Sequence, residues 1–272
     1  MSPAVQEAFR RHGVDVTEKT AGTIPEILDV ATRAARSNVD RLWVLGGDGT
    51  LASAASSLCY SKTALCPLPG GTAGVFCREL NIPSAAPQAV SSLLSGRNIS
   101  IDVGQVGDVK FLLMAGVGID AQTVRDVNLN LKRCIGPLAY VAEGLRKLWS
   151  YSVSRVTVVD EHGIERTGYH VVVLNGRLYG GSLAMAPSAK LDDGRFDVIL
   201  IKKPGRLALL KFVFSIPSGR HVRLPYVEYF RSNAVEIRGD GGSSVQADGD
   251  CLTRLPARIT ILPKALTVRA PQ

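Results

Sequence analysis

Apolar residues recur at two different spacings along this chain of 272 residues, and the change of spacing divides it. In the first third, helical and strand patterns alternate. Pro3 to Arg11 reads as a helix stopped by Gly13, and Val14 to Thr17 as a short strand. Thr23 and Glu26 have the spacing of a capping box, and Ile24, Ile27, Leu28, Ala31 and Ala35 follow at helical intervals. Arg41 to Leu45 is a compact apolar run, expected as a buried strand, that passes straight into Gly46. Small residues from Leu51 to Cys59 predict a helix, and Ala64 to Leu68 predicts a further strand. Strand, glycine turn, helix and strand in that order predict a parallel sheet with helices on its faces.

From about Ile101 strand-like runs dominate: Ile101 to Val106, Phe111 to Val117, Arg155 to Asp160, His170 to Asn175, Phe196 to Ile201, Ala234 to Arg238 and Arg258 to Leu262. A helical stretch, Ala139 to Leu148, interrupts them. The fold class is therefore α/β: a parallel-sheet domain over residues 1–98 and a mainly antiparallel β-sandwich domain over residues 99–272. The last segment is expected to pack back on the first domain.

Composition changes this picture little. A hydrophobic fraction of 46% and a charged fraction of 21% are those of a globular protein. The formal charge of +8 suits a nucleotide, a nucleic acid or an anionic lipid surface, and equally suits plain solubility. Five scattered cysteines without CxxC spacing point to reduced thiols in a cytoplasmic protein. Four distant histidines give no HExxH-type metal site. No apolar run is long enough to cross a membrane and the start lacks signal-peptide features, so any membrane contact is expected to be peripheral.

The chemistry concentrates in Gly46-Gly47-Asp48-Gly49-Thr50. Between a strand and a helix, such a loop offers free backbone N–H groups and a favourable helix dipole, and its glycines admit a phosphate chain. Asp48 offers a carboxylate to Mg2+ or its water, and Thr50 a hydroxyl to a phosphate oxygen. A tight structural turn is the other reading. If the loop binds phosphate, a glycine-bounded aspartate is not expected to support a core, and Asp48→Ala should leave the fold intact.

The loop resembles the GGDGT signature of diacylglycerol kinases, sphingosine kinases and bacterial lipid kinases, with shorter relatives in NAD kinases and phosphofructokinases. Further motifs follow in family order. Leu68-Pro69-Gly70-Gly71-Thr72-Ala73, with Phe76 to Pro83, is similar to the second nucleotide-binding segment. Gly116 to Ala121 resembles the GxGxDA segment, and Asn175 to Gly181 with Ala186 to Asp197 the YGGG…APxAxxDDGxLD run. Gln246-Ala247-Asp248-Gly249-Asp250 resembles the DGE motif. The resemblance implies an NAD kinase/diacylglycerol kinase-like first domain and a lipid kinase of phospholipid metabolism that uses ATP and Mg2+. It implies nucleotide binding by Gly46, Gly47, Asp48, Gly49, Thr50, Gly71, Thr72 and Thr20. It makes Asp250, at the last acid of DGE, the base that takes the lipid hydroxyl's proton, with Asp248 and Asp48 as the other catalytic acids. A solvated turn is the alternative for Asp248-Gly249-Asp250. The resemblance also implies a cation held by Asp193 with the carbonyls of Lys190 and Arg195, where an exposed hairpin turn is the alternative.

Lys202 to Arg238 holds eight Lys or Arg against two Glu, interleaved with apolar residues. It suits either an anionic membrane, where the lipid substrate lies, or a core helix with a solvated basic face. The positive charges form no stacking pattern for nucleic acid. Departures from the family concern the start and several loop residues. The opening strand and NPxxG loop are missing, so the sheet should lack a member, and its open edge could pair with another chain as in a homodimer. Ala52 and Ser53 replace an Asn-Glu pair, and Gly74 and Val75 replace Asn and Asp. These changes leave a second hypothesis, a catalytically weakened kinase-like protein that binds lipid or nucleotide in a regulatory role.

Overall fold

The computed structural model describes residues 2–118, 154–239 and 243–272. They form two compact units, residues 1–103 with 263–272 and residues 104–262. The first carries α1 (Pro3–Arg11), α2 (Ile24–Arg36), β1 (Arg41–Gly46), α3 (Asp48–Leu58), β2 (Ala64–Pro69), α4 (Val75–Glu79), α5 (Ala86–Ser95) and the start of β3 (Arg97–Val106). The second carries β4 (Val109–Phe111), β5 (Met114–Val117), β6 (Val156–Asp160), β7 (Glu165–Gly168), β8 (His170–Leu174), β9 (Leu178–Tyr179), β10 (Leu183–Ala184) and β11 (Phe196–Ile201). There follow α6 (Arg206–Ser215), β12 (Val227–Ser232), β13 (Ala234–Gly239), β14 (Ser244–Ala247), β15 (Asp250–Arg254) and β16 (Ala257–Ala270), whose end belongs to the first unit. The helix expected from Ala139 to Leu148 lies outside the described residues.

The first unit is the expected parallel-sheet α/β structure. β1 and β2 pair in parallel from Arg41↔Ala64 to Gly46↔Pro69, and β2 pairs in parallel with β16 at Val268↔Leu65. α3 buries Leu51, Ala54, Ala55 and Leu58, positions three and four apart that form one helical face. The capping box at α2 forms: Glu26 N–H donates to Thr23 Oγ1 at 3.4 Å, and Thr23 N–H to Glu26 Oε2 at 3.3 Å. At the far end of α5, the Arg269 guanidinium donates to the Leu93 and Leu94 carbonyls at 2.7 and 2.9 Å, where the helix has no N–H left to offer.

Three expectations need correction here. Val14 to Thr17 forms no strand, because among the described residues no ladder lies beside it to take its backbone bonds. β1 is half-exposed rather than buried, with Leu45 42% exposed, because it ends the sheet and pairs with β2 alone among the described strands. α3 begins at Asp48 rather than Leu51, since the glycines before it already supply its N-cap.

The second unit is the expected sandwich. One antiparallel sheet runs β12-β11-β8-β5-β14-β15; against it lie β7, β6, β13 and the first half of β16. Phe111 and Phe196 stack at 5.9 Å within the shared core. Gly104 is obligatory there, because a Cβ on it would stand 2.1 Å from the Phe111 ring. The expected strand Phe111 to Val117 is broken in two at Leu112 and Leu113, whose N–H groups turn toward a carboxylate described below. Arg166 on β7 reaches Asp160 and Glu228, both at 2.7 Å, and lies 4.1 Å over the Phe230 ring. Burial opposes ionisation of both acids, but hydrogen bonds to Arg166, with Lys202 also at Glu228, hold their pKa values below the ordinary carboxylate range.

His170, at the head of β8, is buried, and burial pushes its pKa down to about 4. Between the ordinary 6.5 and that value the unfolded chain takes up a proton that the native imidazole refuses. Stability from this group is therefore complete above 6.5 and is lost as pH falls toward 4, by up to about 1.4 kcal/mol per pH unit. Urea unfolding across this window should show that slope in the parent and a flatter one in His170→Gln; identical slopes would contradict the assignment.

Candidate active site

Because β1 and β2 are parallel neighbours in register, their C-terminal ends deliver two loops side by side. Gly46 and Gly47 leave β1, and Gly70 and Gly71 follow β2. The backbones meet without side chains between them. The Gly70 N–H donates to the Gly46 carbonyl at 3.0 Å, and a Cβ on Gly71 would stand 2.5 Å from the Gly47 Cα. Thr50 packs over Gly46, where a Cβ would meet the threonine Cβ at 2.6 Å. Gly49 differs from the others, since a Cβ there would meet nothing within 4 Å. Gly47 is the N-cap of α3, so the first N–H groups of this eleven-residue helix point out of its end without intrahelical acceptors.

Asp48 joins the loops. Its Oδ2 accepts from the Val75 N–H at 3.1 Å and its Oδ1 from the Phe76 N–H at 2.9 Å, so one carboxylate caps α4 from across the gap. The turn before α4 needs Gly74, which sits in the left-handed region at φ 55°. Asparagine, the family's residue at this point, also tolerates that conformation, so the substitution keeps the backbone path. Burial, with the Asp48 charge adding to it, pushes the Cys77 thiol up to about 12. Asp48 thus has a structural task that contradicts the expectation that it leaves the fold unsupported. Thr72 lies exposed on the second loop. Thr20 lies on the exposed segment before α2, outside both loops.

In the second unit, Asp248 performs a parallel task. It occupies the left-handed turn between β14 and β15 at φ 46°. Its Oδ2 accepts from Leu112 N–H at 2.6 Å, and its Oδ1 from Leu113 and Met114 N–H at 2.9 and 3.0 Å. Its own N–H donates to the Met114 carbonyl at 3.0 Å. Asp250, two residues on, opens β15 exposed to solvent, and no side-chain hydrogen bond holds it among the described residues. Of the two acids, Asp250 is the one whose oxygens are open to solvent. Gly116 to Gly118 of the third motif are described, whereas Ile119, Asp120 and Ala121 lie outside the described residues.

The cation expected at Asp193 does not fit. Asp193 Oδ1 accepts the Arg195 N–H at 3.2 Å, closing its own turn, and Oδ2 is paired with the Arg231 guanidinium. Arg231 also faces buried Asp197 at 3.9 Å, and Asp197 takes the Tyr229 hydroxyl. A positive group already stands where a metal would balance these acids. Burial holds the Asp197 carboxyl above the ordinary range. Lys190 and Arg195 are exposed on this turn. Among the described residues no three His, Cys, Asp or Glu side chains gather as a metal cluster. The sequence reading missed Tyr229 and Arg231; their signal was alternation on β12, which sets Arg231 directly opposite Asp197 on β11.

Joined glycine loops at the ends of parallel strands, followed by a β-sandwich, define an α/β protein with a second β unit. Residues 1–106 match the diacylglycerol kinase catalytic domain, and residues 114–270 match the YegS C-terminal NAD kinase beta sandwich-like domain. The chain belongs to this diacylglycerol kinase family. It is 29% identical over 273 residues to a diacylglycerol kinase of Mycobacterium tuberculosis, covering 97% of this chain and 87% of that protein. A diacylglycerol kinase of Staphylococcus epidermidis is 28% identical over 247 residues, covering 89% and 78%. The fold matches a solved diacylglycerol kinase from Bacillus anthracis with a TM-score of 0.72 at 19% identity, over 99% of this chain and 89% of the other. A second structure from that organism superposes with a TM-score of 0.82 at 22% identity, over 98% and 87%.

Removing the acceptor of two or three backbone N–H groups leaves those donors unpaired, at about 1–3 kcal/mol each. Asp48→Ala and Asp248→Ala should therefore lower unfolding free energy by at least about 2 and about 3 kcal/mol respectively, read by urea titration at constant pH. Stability equal to the parent in either variant would refute its bracing role.

Proposed function

We propose that the chain is an ATP-dependent lipid kinase that transfers the γ-phosphate to a hydroxyl of a diacylglycerol-like lipid or a long-chain alcohol. The observation that carries this reading is the joined pair of glycine loops at the N-terminus of α3, with the Asp48 carboxylate engaged in holding them together. Phosphoryl transfer asks a protein for positioning and charge neutralisation more than for covalent chemistry. The N–H groups at the start of α3, the backbone at Gly71 and the Thr72 hydroxyl would hold the phosphates. Magnesium enters the proposal as the counter-ion of the nucleotide phosphates, and no step is assigned to the Asp193 turn. Asp250 would accept the hydroxyl proton as the oxygen attacks phosphorus. Relatives named as diacylglycerol kinases support the acceptor class.

A regulatory reading draws on α3 itself. Where relatives carry a glutamate, Ser53 turns its hydroxyl back to the Gly49 carbonyl at 2.8 Å, so this position supplies no carboxylate. Buried Val75 likewise brings none. The retained backbone path at Gly74 and the open Asp250 favour the kinase.

Incubation with γ-labelled ATP, Mg2+ and a total lipid extract should label a lipid fraction. Asp250→Asn should lower the chemical step at least about a hundredfold with ATP affinity little changed. No labelled lipid from the parent, with ATP still bound, would favour the regulatory reading.

A further inference from the structure

α6 is apolar on both of its faces, which a helix needs only when both faces are covered. Its inner face is: Ala208, Leu209 and Phe212 are buried, the Tyr226 hydroxyl donates to the Ala208 carbonyl at 2.9 Å, and Phe212 meets His221 edge to face at 5.5 Å. Leu207, Leu210 and Phe214, spaced three and four apart, share the opposite face. Leu207 is 82% exposed and Phe214 75%, with Val213 beside them at 39%. Such large side chains standing in water at helical spacing form a contact stripe, unlike scattered surface leucines.

Along the chain on either side of this stripe, the charges are of one sign. Residues 198–227 contain six Lys or Arg and no Asp or Glu. Exposed Lys203 and Lys211 flank the stripe, and Arg220 and Arg223 follow the helix, lining a recess with Ser188 and Tyr229. Two copies meeting through this face would set these cations against each other, which argues against a symmetric dimer. An anionic surface with an apolar interior satisfies both the stripe and its charges. At ten residues α6 is far too short to span a bilayer, so it would lie in the plane of the interface.

We propose that the outer face of α6 docks this protein on anionic membrane, with Leu207 and Phe214 entering the headgroup boundary and Lys203, Lys211, Arg220 and Arg223 facing lipid phosphates. The choice of a lipid surface rests on the lipid-kinase reading. This narrows the basic segment Lys202 to Arg238 to one helix and its flanks. Lys202 lies outside the docking set, since Glu228 holds it at 2.9 Å.

The test is sedimentation of the full chain with vesicles of phosphatidylcholine, with and without phosphatidylglycerol, across a salt series and without nucleotide. The parent should bind the anionic vesicles and release at high salt, because screening shortens the reach of the lysines. Leu207→Ser with Phe214→Ser, and separately Lys203→Glu with Lys211→Glu, should each weaken binding at least about tenfold. Both pairs are solvent-exposed, so their melting temperatures should match the parent's. Parent-like vesicle binding by the serine pair, or no binding by the parent, overturns the proposal. Concentration-dependent self-association that the serine pair abolishes also overturns it, in favour of a second copy. Turnover on a water-soluble short-chain acceptor keeps the two readings apart. Vesicle binding through α6 without turnover would leave this inference standing and remove the kinase; turnover with α6-independent vesicle binding would do the reverse.

Discussion

The close approach of Gly47 and Gly71 is the constraint on which the arrangement of the first unit's loops depends. Parallel pairing of β1 and β2 brings the two chain ends together, and any side chain at position 71 would push them apart. Once they touch, the carboxylate of Asp48 is within reach of the first N–H groups of α4, and it fixes the second loop against the first. Glycines alone would leave this junction floppy, since each carries a large conformational entropy cost on ordering. The aspartate offsets part of that cost with charge-assisted bonds.

The second unit solves a similar problem by similar means. Leu112 to Met114 must leave the line of β4 and enter β5, and three successive N–H groups lose their ladder partners there. Asp248 takes all of them. Two acids that a motif reading assigns to catalysis are thus engaged with backbone, while Asp250 stands open. In the second unit the division follows from geometry: Asp248, in its left-handed turn, reaches the neighbouring strand, and Asp250, which begins the next strand, is exposed.

Much of this was legible in the sequence. Capping-box spacing at Thr23 and Glu26, short apolar runs such as His170 to Asn175, and the glycine loop after β1 all reflect local rules, so they could be read without the fold. The misses share one cause, which is dependence on distant partners. Val14 to Thr17 has strand composition but no neighbour, Leu112 breaks a strand because a carboxylate 136 residues away demands it, and Asp193 is balanced by an arginine from the next strand. The α6 segment was ambiguous for a related reason. Its leucines and phenylalanines read as core, and only the fold shows that Leu207 and Phe214 face away from it.

The central claim is that the joined loops exist to hold a nucleotide's phosphates, and Gly49 tests it most directly. Its side-chain direction is open space and it lies in the first turn of α3, so the unliganded fold makes no demand for glycine there. The measurement is a calorimetric titration of ATP with Mg2+ into the parent and Gly49→Ala, alongside thermal melts of both. The account predicts a melting temperature equal to or above the parent's, since alanine is the better helix former, with ATP affinity reduced at least about tenfold by the methyl group at the phosphate position. ATP affinity unchanged in a stably folded Gly49→Ala would contradict it.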